Sequence, residues 1–168
     1  MESDITEDFK SQMNFTAIHL RGMATNGAII LERAIDEIIA EHYCTDREKR
    51  QEFIEYVISS KYLTAESKRS IFIQILKKHK ADLYKKYKEA INWIQYLYEE
   101  RNVLAHSELD LSKEAIVRYI DYKALTFIKY KGYNNKENDH LELFDSKRVD
   151  SLTKHLSKIQ EMILTLRH

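Results

Sequence analysis

The sequence predicts a mainly α protein: an antiparallel bundle of about five helices, with a small β-hairpin near residues 124–144 before the C-terminal helix. Three observations carry this. The 168 residues include no proline and three glycines, so both residues that interrupt helices are scarce. Apolar residues recur at alternating steps of four and three along most of the chain, the period of one helix face. The period changes after Ser112, and between about 124 and 144 strand-like alternation flanks a turn-rich segment.

The elements follow in order. Met13, Ala17, Leu20, Ala24, Gly27, Leu31, Ile35 and Ile38 hold one helix face for about seven turns. Gly22, Ala24, Gly27 and Ala28 keep its middle thin, which lets another helix approach closely. Asp46 is an N-cap candidate for a helix through about Ser59, with Phe53, Ile54 and Val57 apolar. Thr64 caps a further helix whose Ile71, Ile75 and Leu76 face inward. A strongly helical segment, Leu83 to Ser107, comes next; its Tyr84, Tyr87, Trp93, Tyr96 and Tyr98 read as core and interface aromatics. Lys113 to Ile120 reads as a short helix. Ala124–Lys131 and Leu141–Phe144 form the hairpin around Gly132 to Asp139. Asp145 then caps a last helix, in which Val149, Leu152, Leu156, Ile159, Ile163 and Leu166 keep helical spacing.

The length predicts a single domain over residues 1–168, able to bury roughly 70% of its unfolded surface. Lysine and arginine number 27, aspartate and glutamate 27, so the formal charge is zero. That excludes a general charge-driven grip on nucleic acid and leaves only a local patch. The single Cys44 cannot form an internal disulfide, and no signal sequence is evident. No apolar run approaches the roughly 20 residues that span a bilayer. A cytoplasmic protein without membrane contact is expected. Gly22, Gly27 and Gly132 lack the spacing of a phosphate-binding loop, and no cofactor is expected.

The most informative stretch is Arg101-Asn102-Val103-Leu104-Ala105-His106, near the end of the Leu83–Ser107 helix. Asn102 and His106 are i and i+4, so they share a face and can hydrogen-bond. Arg101 keeps step with Leu83, Tyr87, Ala90, Ile94, Leu97 and Leu104. A guanidinium in phase with a buried stripe is costly unless it is paired or faces a ligand or partner. A permanent cation, a titratable imidazole and an amide thus crowd one helix end.

This combination resembles the HEPN superfamily, whose signature is an arginine, a polar residue, a few further positions and a histidine. Arg21-Gly22 and the run Ile29 to Ile39 extend the likeness to a HEPN-like branch that includes the mannitol operon repressor family, over roughly residues 16–108. The tyrosine that another branch carries two places after the histidine is Glu108 here, so tyrosine chemistry is not carried over. The resemblance implies a homodimer and RNA cleavage that leaves a cyclic phosphate.

The residue inventory agrees with a two-copy site. Metal-free RNA cleavage needs a base for the 2′-hydroxyl, an acid for the leaving 5′-oxygen and positive charge for the phosphorane. Histidine, with an unperturbed pKa of about 6.5, suits either proton transfer. Arginine stays charged and can clamp phosphate with two parallel hydrogen bonds. One chain offers a single motif histidine; a two-fold dimer offers two. The expected function is therefore a metal-independent endoribonuclease, a toxin or defence effector whose antitoxin would be of a kind such as a small nucleotidyltransferase. Two rivals use the same residues: a non-catalytic HEPN-like dimerisation or regulatory module, in which Arg101 and His106 only complete a helix-end network, and RNA or nucleotide binding without cleavage.

Several supporting residues are open to two readings. Arg21 and Glu32 fall near the first apolar stripe, as an internal ion-pair network or as support behind the Arg–His site. Lys77, Lys78, Lys80, Lys85, Lys86 and Lys88 against Asp82 give a local charge of +6 − 1 = +5. They read as a solvated face or as an RNA backbone track. Glu137 and His140 fall in the hairpin turn rather than on a bundle helix, as a di-iron site requires. His42 and Cys44 lack two further ligands for zinc. No metal ligands are assigned.

Overall fold

With no proline to break it, helix α1 runs from Glu2 to Tyr43. A computed structural model describes residues 2–129 and 140–166. After α1 come α2 (Arg47–Phe53), a π-helical turn (Ile54–Ile58), α3 (Ala65–His79), α4 (Ala81–Lys86) and α5 (Lys88–His106). Strand β1 (Glu108–Leu109), α6 (Lys113–Tyr122), β2 (Leu125–Lys129), β3 (His140–Phe144) and α7 (Ser146–Leu166) complete the order. The protein is mainly α.

The helix starts follow from local chemistry. Each N-cap side chain accepts a backbone N–H from the first turn, satisfying a donor the helix leaves free. Asp46 takes Lys49 N at 2.9 Å, Thr64 takes Ser67 N at 3.2 Å, Ser112 takes Ala115 N at 3.2 Å and Asp145 takes Arg148 N at 2.9 Å.

Three details depart from the sequence expectation. The helix expected over Leu83–Ser107 is interrupted at Tyr87 (φ −108°, ψ 16°), which separates α4 from α5. Tyr87 is buried with its hydroxyl 2.9 Å from Thr165 Oγ1, a tertiary bond that no local pattern announces. With that division, seven α-helices replace the five or so expected among the described residues. The Asp46–Ser59 helix opens into the π-helical turn, whose wider winding buries Ile58 and leaves Val57 exposed. The hairpin gains a strand. β1 pairs with β2 through Glu108↔Ile128 and Leu109↔Phe127, giving an antiparallel sheet of order β1-β2-β3. The β2–β3 register runs from Leu125↔Phe144 to Lys129↔His140. The expected turn Gly132–Asp139, including Glu137, lies outside the described residues.

The chain forms two compact units, Met1–Asn26 with Glu99–Lys154, and Gly27–Tyr98 with His155–His168. In the first, Met13, Ala17, Leu20 and Ala24 of α1 are buried, as are Val103, Leu104, Phe127 and Phe144. Phe127 and Phe144 meet edge to face at 5.3 Å, a favoured aromatic geometry. In the second, the thin part of α1 receives α7. A Cβ on Gly27 would lie 2.5 Å from Leu156 Cδ2, so glycine permits that approach. Phe72, Ile75 and Leu76 are buried along α3, while Ile71 is half-buried.

Candidate functional site

Two arginines fix the last turns of α5 in the first unit. Glu100 is 5% exposed, and Arg148 from α7 grips its carboxylate with Nε 2.9 Å from Oε2 and Nη2 3.0 Å from Oε1. The same guanidinium reaches Glu142 at 2.9 Å and the Leu143 carbonyl at 3.0 Å, and lies 3.9 Å from the Phe144 ring centre. Burial alone would depress the pKa of Arg148. The hydrogen bonds and charges of Glu100 and Glu142 outweigh it and hold the group above its usual value. A two-pronged guanidinium–carboxylate contact fixes orientation as well as distance, so α5 is held immediately before Arg101.

Arg21 secures the other side of the motif. Its Nε donates to the Leu104 carbonyl at 2.9 Å and its Nη2 to the Ser107 carbonyl at 2.7 Å. These are helix-end acceptors without intrahelical partners, and a cation suits the negative end of the helix. The guanidinium also lies 5.3 Å from the Phe127 ring centre. Arg21 thus bonds to the end of the motif helix and, among the described residues, joins no ion pair.

The motif residues themselves are left accessible. Val103 and Leu104 are buried, which turns Asn102, Ala105 and His106 outward; all three are exposed, and Arg101 is half-buried. Among the described residues the side chains of Arg101, Asn102 and His106 make no hydrogen bond or ion pair. The Asn102–His106 bond that the i, i+4 spacing allows is thus not formed. The charged member of the buried stripe is Glu100, three residues after Leu97 and four before Leu104, rather than Arg101 one position later. Ser107 is 5% exposed, and its hydroxyl oxygen has no partner among the described residues.

Glu32 and the six lysines belong to the second unit. Glu32 accepts from Lys68 Nζ at 2.9 Å, and Asp36 accepts from the same ammonium at 3.0 Å. Glu32 therefore joins an internal ion-pair network. Burial raises the pKa of Asp36 against the pull of Lys68. Burial would depress Lys68, but Glu32 and Asp36 outweigh it and raise it. Lys68 and Asp36 were not singled out by sequence, although Lys68 falls in step with Phe72, Ile75 and Leu76.

Lys77, Lys78, Lys80, Lys85, Lys86 and Lys88 are all exposed, spread over the end of α3, the α3–α4 junction, α4 and the start of α5. Three have local work. Lys80 donates to the Leu166 carbonyl at 3.1 Å; Lys77 lies over the Tyr84 ring and Lys86 over the Tyr87 ring. Lys78, Lys85 and Lys88 make no hydrogen bond or ion pair among the described residues. Trp93 stacks on His155 with ring centres 4.2 Å apart, using one of its faces within the unit.

An aliphatic groove of about 410 Å³ lies in the second unit, lined by Leu31, Ala34, Ile159 and Ile163, with no motif residue. No three His, Cys, Asp or Glu side chains gather as metal ligands among the described residues. Comparison with protein-family models, curated proteins and solved structures found no match to this chain.

Proposed function

We propose that this protein is an endoribonuclease of HEPN type, working as a homodimer in which Arg101 and His106 of both copies share one cleft. The observation that carries this reading is the division of labour at the end of α5. Arg21 takes the carbonyls of Leu104 and Ser107, while Arg101, Asn102 and His106 stay accessible and make no bond among the described residues. A histidine kept to satisfy helix-end carbonyls would be redundant beside Arg21. The same observation disfavours the non-catalytic rival, which gives Arg101 and His106 that helix-end task.

In the proposed reaction His106 of one copy takes the proton from a ribose 2′-hydroxyl. The 2′-oxygen attacks phosphorus and the P–O5′ bond breaks. The 5′-oxygen takes a proton from His106 of the partner subunit. The products are a 2′,3′-cyclic phosphate and a 5′-hydroxyl. Two imidazoles supply base and acid, and the paired guanidiniums stabilise the charge that builds on the non-bridging oxygens. No step calls for a metal. A toxin or defence effector, held in check by an antitoxin such as a small nucleotidyltransferase, is the setting such an activity suits.

The test is cleavage of end-labelled single-stranded RNA in the presence of chelator. His106→Ala should lower the rate about 10²–10⁴-fold, the usual contribution of general acid–base catalysis. Its circular dichroism should match wild type, since the imidazole holds nothing in place. Arg101→Lys should also be damaging, because lysine keeps the charge and loses the two-pronged contact. Asn102→Ala should be milder, as Asn102 makes no bond to His106. Unchanged activity in His106→Ala, or a wild type inert on varied RNAs, would overturn the proposal.

A further inference from the structure

We propose that the aliphatic groove of the second unit, where α1 meets α7, binds a single-chain fatty carboxylate, with the alkyl chain laid in the groove and the carboxylate held by Arg33. The site shares no residue with the Arg101–His106 motif.

Small residues on α1 open the groove. Gly27 and Ala34 stand at i and i+7 on one helix face, and α7 meets Gly27 through Leu156. Leu31 and Ala34 are buried along the groove with Ile159 and Ile163 of α7. Ile30 is 57% exposed and Leu164 61% exposed, so these two stand at its rim. Every large apolar side chain in the lining is leucine or isoleucine; no aromatic ring and no sulfur takes part. Such a lining suits a flexible alkyl chain, which asks for contact and no hydrogen bond. The volume of about 410 Å³ lies in the range of small-ligand sites, roughly 300–1,000 Å³.

The polar side chains select the head group. Arg33 and Glu37 of α1 and Gln160 of α7 are the polar members of the lining, and all three are exposed. Glu37 already has a partner, whereas Arg33 and Gln160 make no hydrogen bond or ion pair among the described residues. The spare charge beside the groove is therefore positive, and the spare amide can donate. A carboxylate accepts from both, and the guanidinium fork matches its two oxygens. An ammonium head would meet Arg33 as a like charge. A wholly apolar partner face would cover the guanidinium without pairing it, which is costly.

Isothermal titration calorimetry of the full chain with sodium octanoate, decanoate and dodecanoate, each below micelle formation, tests this. Decanoate should bind at submillimolar concentration, and each added pair of methylenes should tighten binding roughly tenfold. Arg33→Gln should weaken decanoate roughly tenfold or more, through loss of a charged hydrogen-bond donor. Arg33→Glu should abolish that binding and admit decyltrimethylammonium instead. Ile30→Glu should weaken all three carboxylates. Arg33 and Ile30 are exposed, so the unliganded variants should keep the circular dichroism and Tm of wild type. No binding of any carboxylate, affinity that ignores chain length, or decanoate binding unchanged in Arg33→Glu would overturn the proposal. So would a wild type that takes decyltrimethylammonium as tightly as decanoate. Sedimentation velocity covers the other occupant: a wild-type dimer dispersed by Ile30→Glu would give the groove to a second copy and overturn the proposal as well.

Discussion

Arg21 shows how much one side chain decides at the candidate site. Its two bonds to carbonyl oxygens and its place over Phe127 join α1, the end of α5 and β2 within one unit. Arg21→Ala should cost about 2 kcal/mol in urea unfolding, since hydrogen bonds from charged donors each contribute roughly 1.5–3 kcal/mol and this site is partly solvated. Arg21→Lys should recover only part, because an ammonium cannot span both carbonyls as the fork does. Lys68 is the corresponding residue of the second unit. Lys68→Met leaves the buried Asp36 without its cation and beside Glu32, and should cost about 3 kcal/mol at pH 7, as removal of one partner of a buried pair does. The pH dependence follows from the signs. Asp36 is raised above 3.8, so its ionised form opposes folding as pH rises through that window, and the deficit of Lys68→Met should shrink from pH 7 to pH 5. Lys68 is raised above 10.5, so its contribution is complete below that value and is lost as pH climbs through the higher folded-state value. Urea midpoints across both windows check the two signs; a deficit that grows toward pH 5 would contradict them.

Among the elements, the helix caps and the hairpin were legible and the interruptions were not. Asp46, Thr64 and Asp145 announce their helices because capping involves residues three apart. Tyr87, at the break, bonds to Thr165 far along the chain, and β1 exists through its pairing with β2, contacts that no local pattern contains. One element carries a local cost that can be tested. Lys123 ends α6 in the left-handed region at φ 52°, where a side chain crowds the backbone and glycine does not. Lys123→Gly should raise stability by up to about 1 kcal/mol, read as a higher Tm; a lower Tm would mean that the packing of Lys123 on the Tyr119 ring outweighs the backbone relief. The lysine-rich stretch separates in the same way. If RNA tracks along it, Lys78→Glu, Lys85→Glu and Lys88→Glu should each weaken binding and flatten its salt dependence, by roughly 0.7 for each phosphate no longer neutralised. Lys80→Glu should additionally destabilise the fold, because Lys80 holds the Leu166 carbonyl. Binding titrations at several salt concentrations, beside thermal melts, separate the two effects.

For the whole molecule, the balanced charge of 27 against 27 leaves no overall field to draw in an anionic polymer, so any grip on RNA must be local. The proposed dimer makes a separate prediction. If folding and association are coupled, Tm should rise with protein concentration across the micromolar range, since a partner that binds only the folded chain stabilises it by mass action. A concentration-independent Tm would detach assembly from folding. The sequence by itself determined the helical class, the starts of α2, α3 and α7 and the place of Arg101, Asn102 and His106 near a helix end. Each of those is written in residues a few positions apart, through periodicity, capping and the scarcity of proline and glycine. Only the tertiary structure decided that Glu100 rather than Arg101 is the buried charge, that Arg21 takes the carbonyls beside His106, that Glu32 pairs with Lys68, and that Gly22 faces open space while Gly27 receives Leu156. Those outcomes depend on which distant segments meet, and a side chain's burial and partners are set by what comes against it rather than by its neighbours in sequence.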